Sequence, residues 1–546
     1  MVRSNEYRIF GPPGTGKTTY LTRQIERAAE KYPVEQIMVA SFTRTAANEI
    51  AGRHLKIPKS QVGTLHSFCF KLLGRPEIAE TKKWIDIYNE GKIDKNQITC
   101  VGSLDDPYGL DMKSGKTDGD KALSVYNLYR TRLIPRDKWS FEVKTFEEKW
   151  EEFKKRNTIL DFTDLILKCL FEVKEPPYGV RIGFFDECQD FSAAELALVR
   201  KWGETFDKFC VAGDDDQCIF SFRGATPDAF LNPPLPASNL IFLDKSYRLT
   251  KQVKNVSLEW INKVYRRQKK NFKPRDGNGQ IIKLPNTSLS ECDYLIKKTV
   301  EYASIGETSM ILATCGYMLN PVIAKLRAQG IPFWNPYRPD AGRWNPWRGG
   351  IERMKAFLTD EVELWGDLTK PHTWSSSYKW IEILDSKKAK LVHGVKKICK
   401  ENSKDRKLSS TELKKEDWED LGIEEPRGNT EWFKSKILLR FESSMAYAFK
   451  VVENQPLNKL RDNPKIIIGT IHSVKGGQAD NVFLFPDLPY LARYEIENGG
   501  VVELDNIRRV WYVGMTRAIR RLFICRHASS NASIFCYLAD KFQETT

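Results

Sequence analysis

Short apolar runs alternate with longer amphipathic stretches along this chain. YRIF, Tyr7 to Phe10, is the first run, and the segment after it carries apolar residues at helical spacing through Ala29. A second run, Gln36 to Ala40, leads into SFTRTAANEIAGR, and further runs fall at Arg181–Phe185, Lys208–Ala212 and Asn239–Leu243. An α/β pattern covers residues 280–335, and buried-strand signals return at Lys465–Gly469, Asn481–Phe485 and Arg521–Arg526. Strand–loop–helix alternation of this kind predicts parallel sheets with crossover helices.

Two stretches break the alternation. Residues 71–158 are less regular and contain the glycine- and aspartate-rich segment Gly102 to Asp120, which predicts a surface loop in an inserted domain. Residues 345–454 are charged, helix-prone and rich in tryptophan. The expected organisation is therefore two α/β domains in series, each interrupted by a mainly helical insertion. The first domain takes 1–70 and 159–248 around the insertion 71–158. The second takes 249–344 and 455–546 around the insertion 345–454.

Composition excludes a disordered or fibrous chain: 41% of the 546 residues are hydrophobic and 29% charged, enough for packed cores. A net charge of +15 points to an extended polyanion such as nucleic acid. Eleven cysteines are scattered singly, without C-x-x-C pairs, as expected of reduced thiols in a cytoplasmic protein. No run is long and apolar enough to predict a membrane span, and MVRSNEYRIF lacks the apolar core of a signal peptide.

Phosphate chemistry is written in three places. GPPGTGKT, Gly11 to Thr18, fits G-x-x-x-x-G-K-[ST] between a strand and a helix. Its glycines let backbone N–H groups close around phosphates, Lys17 reaches the β and γ oxygens, and Thr18 ligates Mg²⁺. Gly11, Gly14, Thr15, Gly16, Lys17, Thr18 and Thr19 are the expected nucleotide contacts. IGFFDECQD ends an apolar strand in paired carboxylates: Asp186 for the Mg²⁺ shell and Glu187 to take the proton of attacking water. VAGDDDQCIFSFRGA delivers Gln217, an amide able to sense a γ-phosphate, beside Phe220 and Phe222, which either stack on bases or fill a core.

These motifs together resemble those of a superfamily 1 helicase of the UvrD/Rep/PcrA type, and the rest of the chain extends the likeness in order. SFTRTAANEI resembles that family's TFTNKAA segment, GTLHSF its GTFHS element and LDFTDL its DFDDL element. LDKSYRL resembles the NYR motif, with Ser246 in place of Asn. GTIHSVKGGQADNVFL and RRVWYVGMTRA are similar to the two motifs that close the second motor domain. The resemblance implies two RecA-like motor domains with a nucleotide cleft between them. It implies that Arg248 and Arg517 reach the γ-phosphate, that Tyr247 stacks on adenine, and that Gly476 and Gln478 contribute to the nucleotide site. Gln478 stands where a ribose-contacting Glu is usual. A DNA strand is implied to run along Phe42, Thr43, Arg44, His66, Phe222, Arg223, Thr470 and His472.

The resemblance further implies ATP and Mg²⁺ as cofactors, single-stranded DNA and its junctions with duplex as partners, and 3′→5′ movement by a monomer. An ATP-dependent DNA helicase is the leading expectation. A single-strand translocase that needs a partner to unwind, and an ATP-gated DNA-binding subunit with little turnover, are its rivals. RNA is a further candidate track. Departures bear on detail. No adenine-reading glutamine segment fits upstream of Gly11, which predicts weak adenine discrimination. Asn506 and Ile507 replace paired glutamates, which removes a charge partner from the arginines beside them. The insertion 345–454 is the candidate surface for a protein partner. Its tryptophans are expected mostly in a helical core, with a duplex-binding face as the other reading. RRQKKNFKPR, Arg266 to Arg275, is expected to be a solvated or phosphate-facing helix end.

Overall fold

The computed structural model describes residues 5–42, 57–100, 117–339, 342–359, 371–423 and 429–528. The chain divides into two compact units, Met1–Asn278 with Gly499–Tyr512 and Gly279–Asn498 with Val513–Thr546. Each is built on a six-stranded sheet in which every neighbouring pair is parallel.

In the first unit the strands are β1 (Glu6–Phe10), β2 (Ile37–Ser41), β3 (Val62–Gly63), β4 (Ile182–Asp186), β5 (Lys208–Gly213) and β6 (Leu240–Phe242), in the order β3-β2-β4-β5-β1-β6. Both faces are covered, so the strands are apolar almost throughout rather than alternating. Ile9, Val39, Phe184 and Ala212 pack with Leu21 and Ile25 of the helix Lys17–Ala29. The residues next to them, Phe10, Met38, Ala40, Phe185 and Val211, point to the other face. There they meet helices Leu65–Leu72, Phe162–Phe171 and Ala193–Gly203.

Helices Lys82–Asn89, Asp118–Thr131 and Phe141–Asn157, between β3 and β4, gather a separate core around Tyr88, Tyr126, Phe146 and Trp150. The expected loop Gly102 to Asp120 is corrected at its end. Residues 101–116 lie outside the described residues, but Asp118–Thr131 is a helix capped by Thr117, whose hydroxyl accepts from the Asp120 N–H. Asp120 is buried because its carboxylate accepts from the N–H groups of Thr99 and Cys100, at 2.6 and 3.2 Å, and from the Thr99 hydroxyl.

The second unit holds β7 (Gln280–Leu284), β8 (Ser309–Ala313), β9 (Phe333–Trp334), β10 (Ile466–Thr470), β11 (Ala479–Leu484) and β12 (Ala518–Cys525), in the order β7-β12-β11-β8-β10-β9. Among the described residues, the interval between β9 and β10 is mainly helical and includes the long helix Leu439–Asn454. Its core is continuous with one face of the sheet: Trp380, Trp418 and Phe433 belong to the same apolar cluster as Ile311, Ile468 and Phe523. Trp344, Trp374 and Trp432 pack against it partly buried, so these tryptophans are core residues.

Candidate functional site

The loop after β1 folds back on itself because three of its residues lack a side chain. Gly14 and Gly16 hold φ of +72° and +76°, the left-handed region open to glycine at little cost. A Cβ on Gly11 would lie 1.9 Å from Lys17 Cγ, so the lysine can double back only over glycine. Lys17 Nζ donates to the Gly11 carbonyl at 3.0 Å, and the Gly11 N–H to the Gly213 carbonyl at 3.0 Å. The helix begins at Lys17, so its first N–H groups and its dipole face this loop, an arrangement suited to phosphate.

β4 ends at Asp186, beside the start of that helix. Thr18 Oγ1 donates to Asp186 Oδ2 at 2.9 Å, and Glu187 Oε1 lies 3.8 Å from Lys17 Nζ. Burial, reinforced by the Glu187 charge, pushes the Asp186 carboxyl up to about 6 against the opposing pull of Lys17 and Thr18. A buried carboxylate with a hydroxyl hydrogen-bonded to it is, once ionised, a donor set that fits a hard divalent cation. Glu187 takes a left-handed backbone, φ +54°, which turns its side chain out of the strand end.

Gln189, which sequence reasoning passed over, ties this turn to the next strand. Its amide nitrogen donates to Glu187, and its carbonyl accepts the Asp214 N–H at 3.0 Å. Asp214 Oδ2 in turn accepts from Gln217 Nε2 at 2.8 Å. Lys17, Thr18, Asp186, Glu187 and Gln217 are thus joined through the ends of three adjacent strands, β1, β4 and β5.

The segment after β6 docks on the glycine loop. Tyr247 N–H donates to the Gly14 carbonyl at 2.8 Å, and the buried Ser246 hydroxyl donates to the Pro13 carbonyl at 2.8 Å. The same hydroxyl accepts from the N–H groups of Arg248 and Leu249 at 3.3 and 3.1 Å, so serine serves here without an amide. A Cβ on Gly14 would stand 2.4 Å from Arg248 Cβ, which places the arginine's stem against the loop. Tyr247 is 69% exposed, an aromatic face presented beside that loop.

Phe42, Phe220 and Phe222 cluster around Arg223, whose guanidinium lies 5.5, 5.4 and 6.0 Å from their ring centroids. Phe220 is buried, stacked on Phe42 at 5.2 Å, and Phe222 is 41% exposed. Of the two readings of these aromatics, Phe220 is core and Phe222 is surface. His66 is buried next to Glu195, Nδ1 to Oε1 3.5 Å. Burial and the Arg223 charge push the imidazole down to about 3, and burial raises the Glu195 carboxyl. The contact is therefore not a charged pair at neutral pH. Thr43 and Arg44 lie outside the described residues.

In the second unit, Thr470 ends β10, and its hydroxyl accepts the Ser473 N–H at 3.2 Å in the turn that carries His472. Gly476, with φ +88°, and Gln478 are exposed on the following turn. Arg517 is buried; its Nη1 donates to the Gly477 carbonyl at 3.1 Å and its Nε to the Val513 carbonyl at 2.9 Å. The two late motifs therefore meet in space.

Two expectations are corrected. Arg267 and Lys270 of RRQKKNFKPR are not solvated: both are inserted among the carboxylates Asp214, Asp215 and Asp216. Arg508 does have a charge partner, Asp505, one turn earlier at 2.9 Å, and Arg509 bonds to the Asp215 and Arg266 carbonyls. The run of three aspartates before Gln217 was the available signal: buried at a strand end, it demands cations from elsewhere.

Among the described residues the ten cysteines are free thiols, and no helix is long and apolar enough to cross a membrane. Glu151, Asp161 and Asp164 converge closely enough to suggest a metal, but Lys154 Nζ lies 2.6–2.8 Å from all three and occupies their centre.

Residues 3–234 match the family described as UvrD/REP helicase N-terminal domain, and residues 432–529 the UvrD-like helicase C-terminal domain; together the matches cover more than half of the chain. The chain is 27% identical over 328 residues to an ATP-dependent DNA helicase PcrA of Staphylococcus epidermidis, an alignment covering 55% of this chain and 44% of that protein. It is 24% identical over 609 aligned positions to an ATP-dependent DNA helicase PcrA of Staphylococcus aureus strain MRSA252, covering 96% of this chain and 81% of that protein. The first of these alignments therefore spans less than half of the relative's length.

Proposed function

Because the chain belongs to the superfamily 1 helicases of the UvrD/Rep/PcrA type, we propose that it is an ATP-dependent DNA helicase that moves 3′→5′ along a single strand. The observation that carries this reading is the union of Lys17, Thr18, Asp186, Glu187, Gln217 and Arg248 around one glycine loop. Lys17 and the helix N-terminus bind the β and γ phosphates. Thr18 and Asp186 hold Mg²⁺, which screens phosphate charge when bound. Glu187 accepts the proton of attacking water, Gln217 reports the γ-phosphate, and Arg248 and Arg517 offset charge on the transferred group. Tyr247 offers a face to adenine, with Gly476 and Gln478 as further nucleotide contacts. Phe42, Phe222 and Arg223 hold the strand by stacking and phosphate contact, together with Thr43, Arg44, His66, Thr470 and His472.

The test is displacement of a labelled strand from duplexes with a 3′ or a 5′ single-stranded tail, with Lys17→Ala as the inactive control. Displacement from the 3′-tailed duplex alone, absent in the variant, is expected. Displacement from the 5′ tail alone overturns the polarity. Strand-stimulated ATP hydrolysis with neither duplex opened identifies a translocase that needs a partner.

A further inference from the structure

Three successive carboxylates, Asp214, Asp215 and Asp216, are buried completely in the turn between β5 and Gln217. Buried charge at this density persists only with cations and hydrogen bonds in close contact. Lys270 Nζ supplies the centre: it lies 2.8 Å from Asp214 Oδ1, 2.5 Å from Asp215 Oδ1 and 3.0 Å from Asp216 Oδ2. Arg267 grips Asp216 with two hydrogen bonds, Nε to Oδ1 at 2.7 Å and Nη2 to Oδ2 at 2.6 Å. The Gln268 N–H donates to Asp215 Oδ2 at 2.8 Å, and Arg509 Nε to the Asp215 carbonyl at 3.1 Å.

This cluster reaches the hydrolytic residues through one carboxylate. Asp214 gives Oδ1 to Lys270 and Oδ2 to Gln217 Nε2, the latter at 2.8 Å. Its N–H donates to Gln189, whose amide nitrogen binds Glu187. The direction in which Gln217 presents its amide is therefore set by Asp214, and the setting of Asp214 depends on Lys270. A carboxylate rotated away would not hold the Gln217 nitrogen in this way.

We propose that Lys270 is a positioning residue for hydrolysis: it holds Asp214 as the acceptor that orients Gln217, and it acts on turnover through Gln217 without touching substrate. The inference rests on the ATPase reading above. It also gives the basic segment after residue 265 a role inside the first unit, where its sequence suggested a surface.

Steady-state ATP hydrolysis at saturating single strand tests it, in the full chain, for wild type, Lys270→Met, Lys270→Arg, Asp214→Asn, Gln217→Ala and the Lys270→Met/Gln217→Ala double variant. Lys270→Met is expected to lower kcat roughly 10- to 100-fold with KM for ATP within about threefold, and Lys270→Arg to recover much of the loss. In the Gln217→Ala background, Lys270→Met should add no more than about a twofold loss, because both changes remove the same interaction. Asp214→Asn keeps the proposal testable if Lys270→Met fails to fold. It leaves Asp215 and Asp216 facing Lys270 and Arg267, where Lys270→Met leaves three buried carboxylates to one cation, so its thermal midpoint should fall less than that of Lys270→Met while kcat falls at least about tenfold. Full multiplicative losses in both backgrounds, or an Asp214→Asn variant with wild-type kcat, overturn the proposal. Absence of strand-stimulated hydrolysis in the wild type overturns the ATPase reading itself.

Discussion

At Gly14 one absent methyl group lets the glycine loop and the Arg248 stem share the same space. Gly14→Ala would set a Cβ 2.4 Å from Arg248 Cβ on a backbone with φ +72°, so either the loop or the arginine must move. Strain of about 1–2 kcal/mol from the backbone alone, added to a displaced arginine, predicts a loss of kcat/KM for ATP of roughly 100-fold. Circular dichroism alongside the kinetics should show the fold retained. His66 makes a different prediction. Its folded value of about 3 lies below the unfolded 6.5, so the unfolded chain gains this proton first as pH falls. The stability tied to neutral His66 is complete above pH 6.5 and is lost on acidification, about 2–3 kcal/mol by pH 4.5. Denaturant midpoints measured from pH 7.5 to 4.5 should therefore fall less steeply in His66→Gln than in wild type, and parallel curves would refute the assignment. At this scale the sequence was legible wherever chemistry sits at fixed local spacing, as in Lys17–Thr18 and Asp186–Glu187. Gln189 with Asp214, and Lys270 with all three aspartates, were not legible, because their contacts join residues 25 or more positions apart.

The helices between β3 and β4 and those between β9 and β10 are anchored by different physics. Helices between β3 and β4 keep their own apolar core and are clipped to the helix Phe162–Phe171 by ions. Asp161 caps that helix and accepts from Arg130 at 2.7 Å, Lys154 at 2.6 Å and Trp150 Nε1 at 3.1 Å, all buried. Those cations hold the Asp161 carboxyl well below the usual carboxylate range despite its burial. Asp161→Asn should cost about 3–5 kcal/mol, since Arg130 and Lys154 would remain buried with one acceptor fewer. Urea denaturation measures this, and a cost under about 1 kcal/mol would show that Asp164 and Glu151 suffice. Helices between β9 and β10 instead merge with the sheet: Tyr447 packs on Phe333, its hydroxyl donates to the Ile331 carbonyl at 2.8 Å, and Gly330 admits the Lys450 carbonyl where a Cβ would stand 2.2 Å away. Long strands such as β4 and β11 were readable as apolar runs. The two-residue strands β3 and β9 were not, because so short a run carries no periodicity and pairs only where a neighbouring strand places it.

For the whole molecule, a net charge of +15 is the property that bears most directly on a polyanionic track. Arg130, Lys154, Arg267 and Lys270 are balanced by internal carboxylates that the net sum already counts, so the excess is carried by residues outside those clusters. That excess predicts binding dominated by phosphate contacts, with a steep dependence on salt. The strand concentration that half-stimulates ATP hydrolysis should rise with salt on a log–log slope steeper than about 3, corresponding to about four or more neutralised phosphates. kcat at saturating strand, which the proposed nucleotide site around Lys17 and Gln217 would set, should change far less over the same range. Phe222→Ala separates stacking from charge: if the exposed ring stacks on a base as proposed, its removal should raise the half-stimulating concentration by a factor set by about 1–3 kcal/mol, with the salt slope unchanged. A variant slope shallower by about 0.7 would instead mean that the ring had been holding Arg223 against a phosphate.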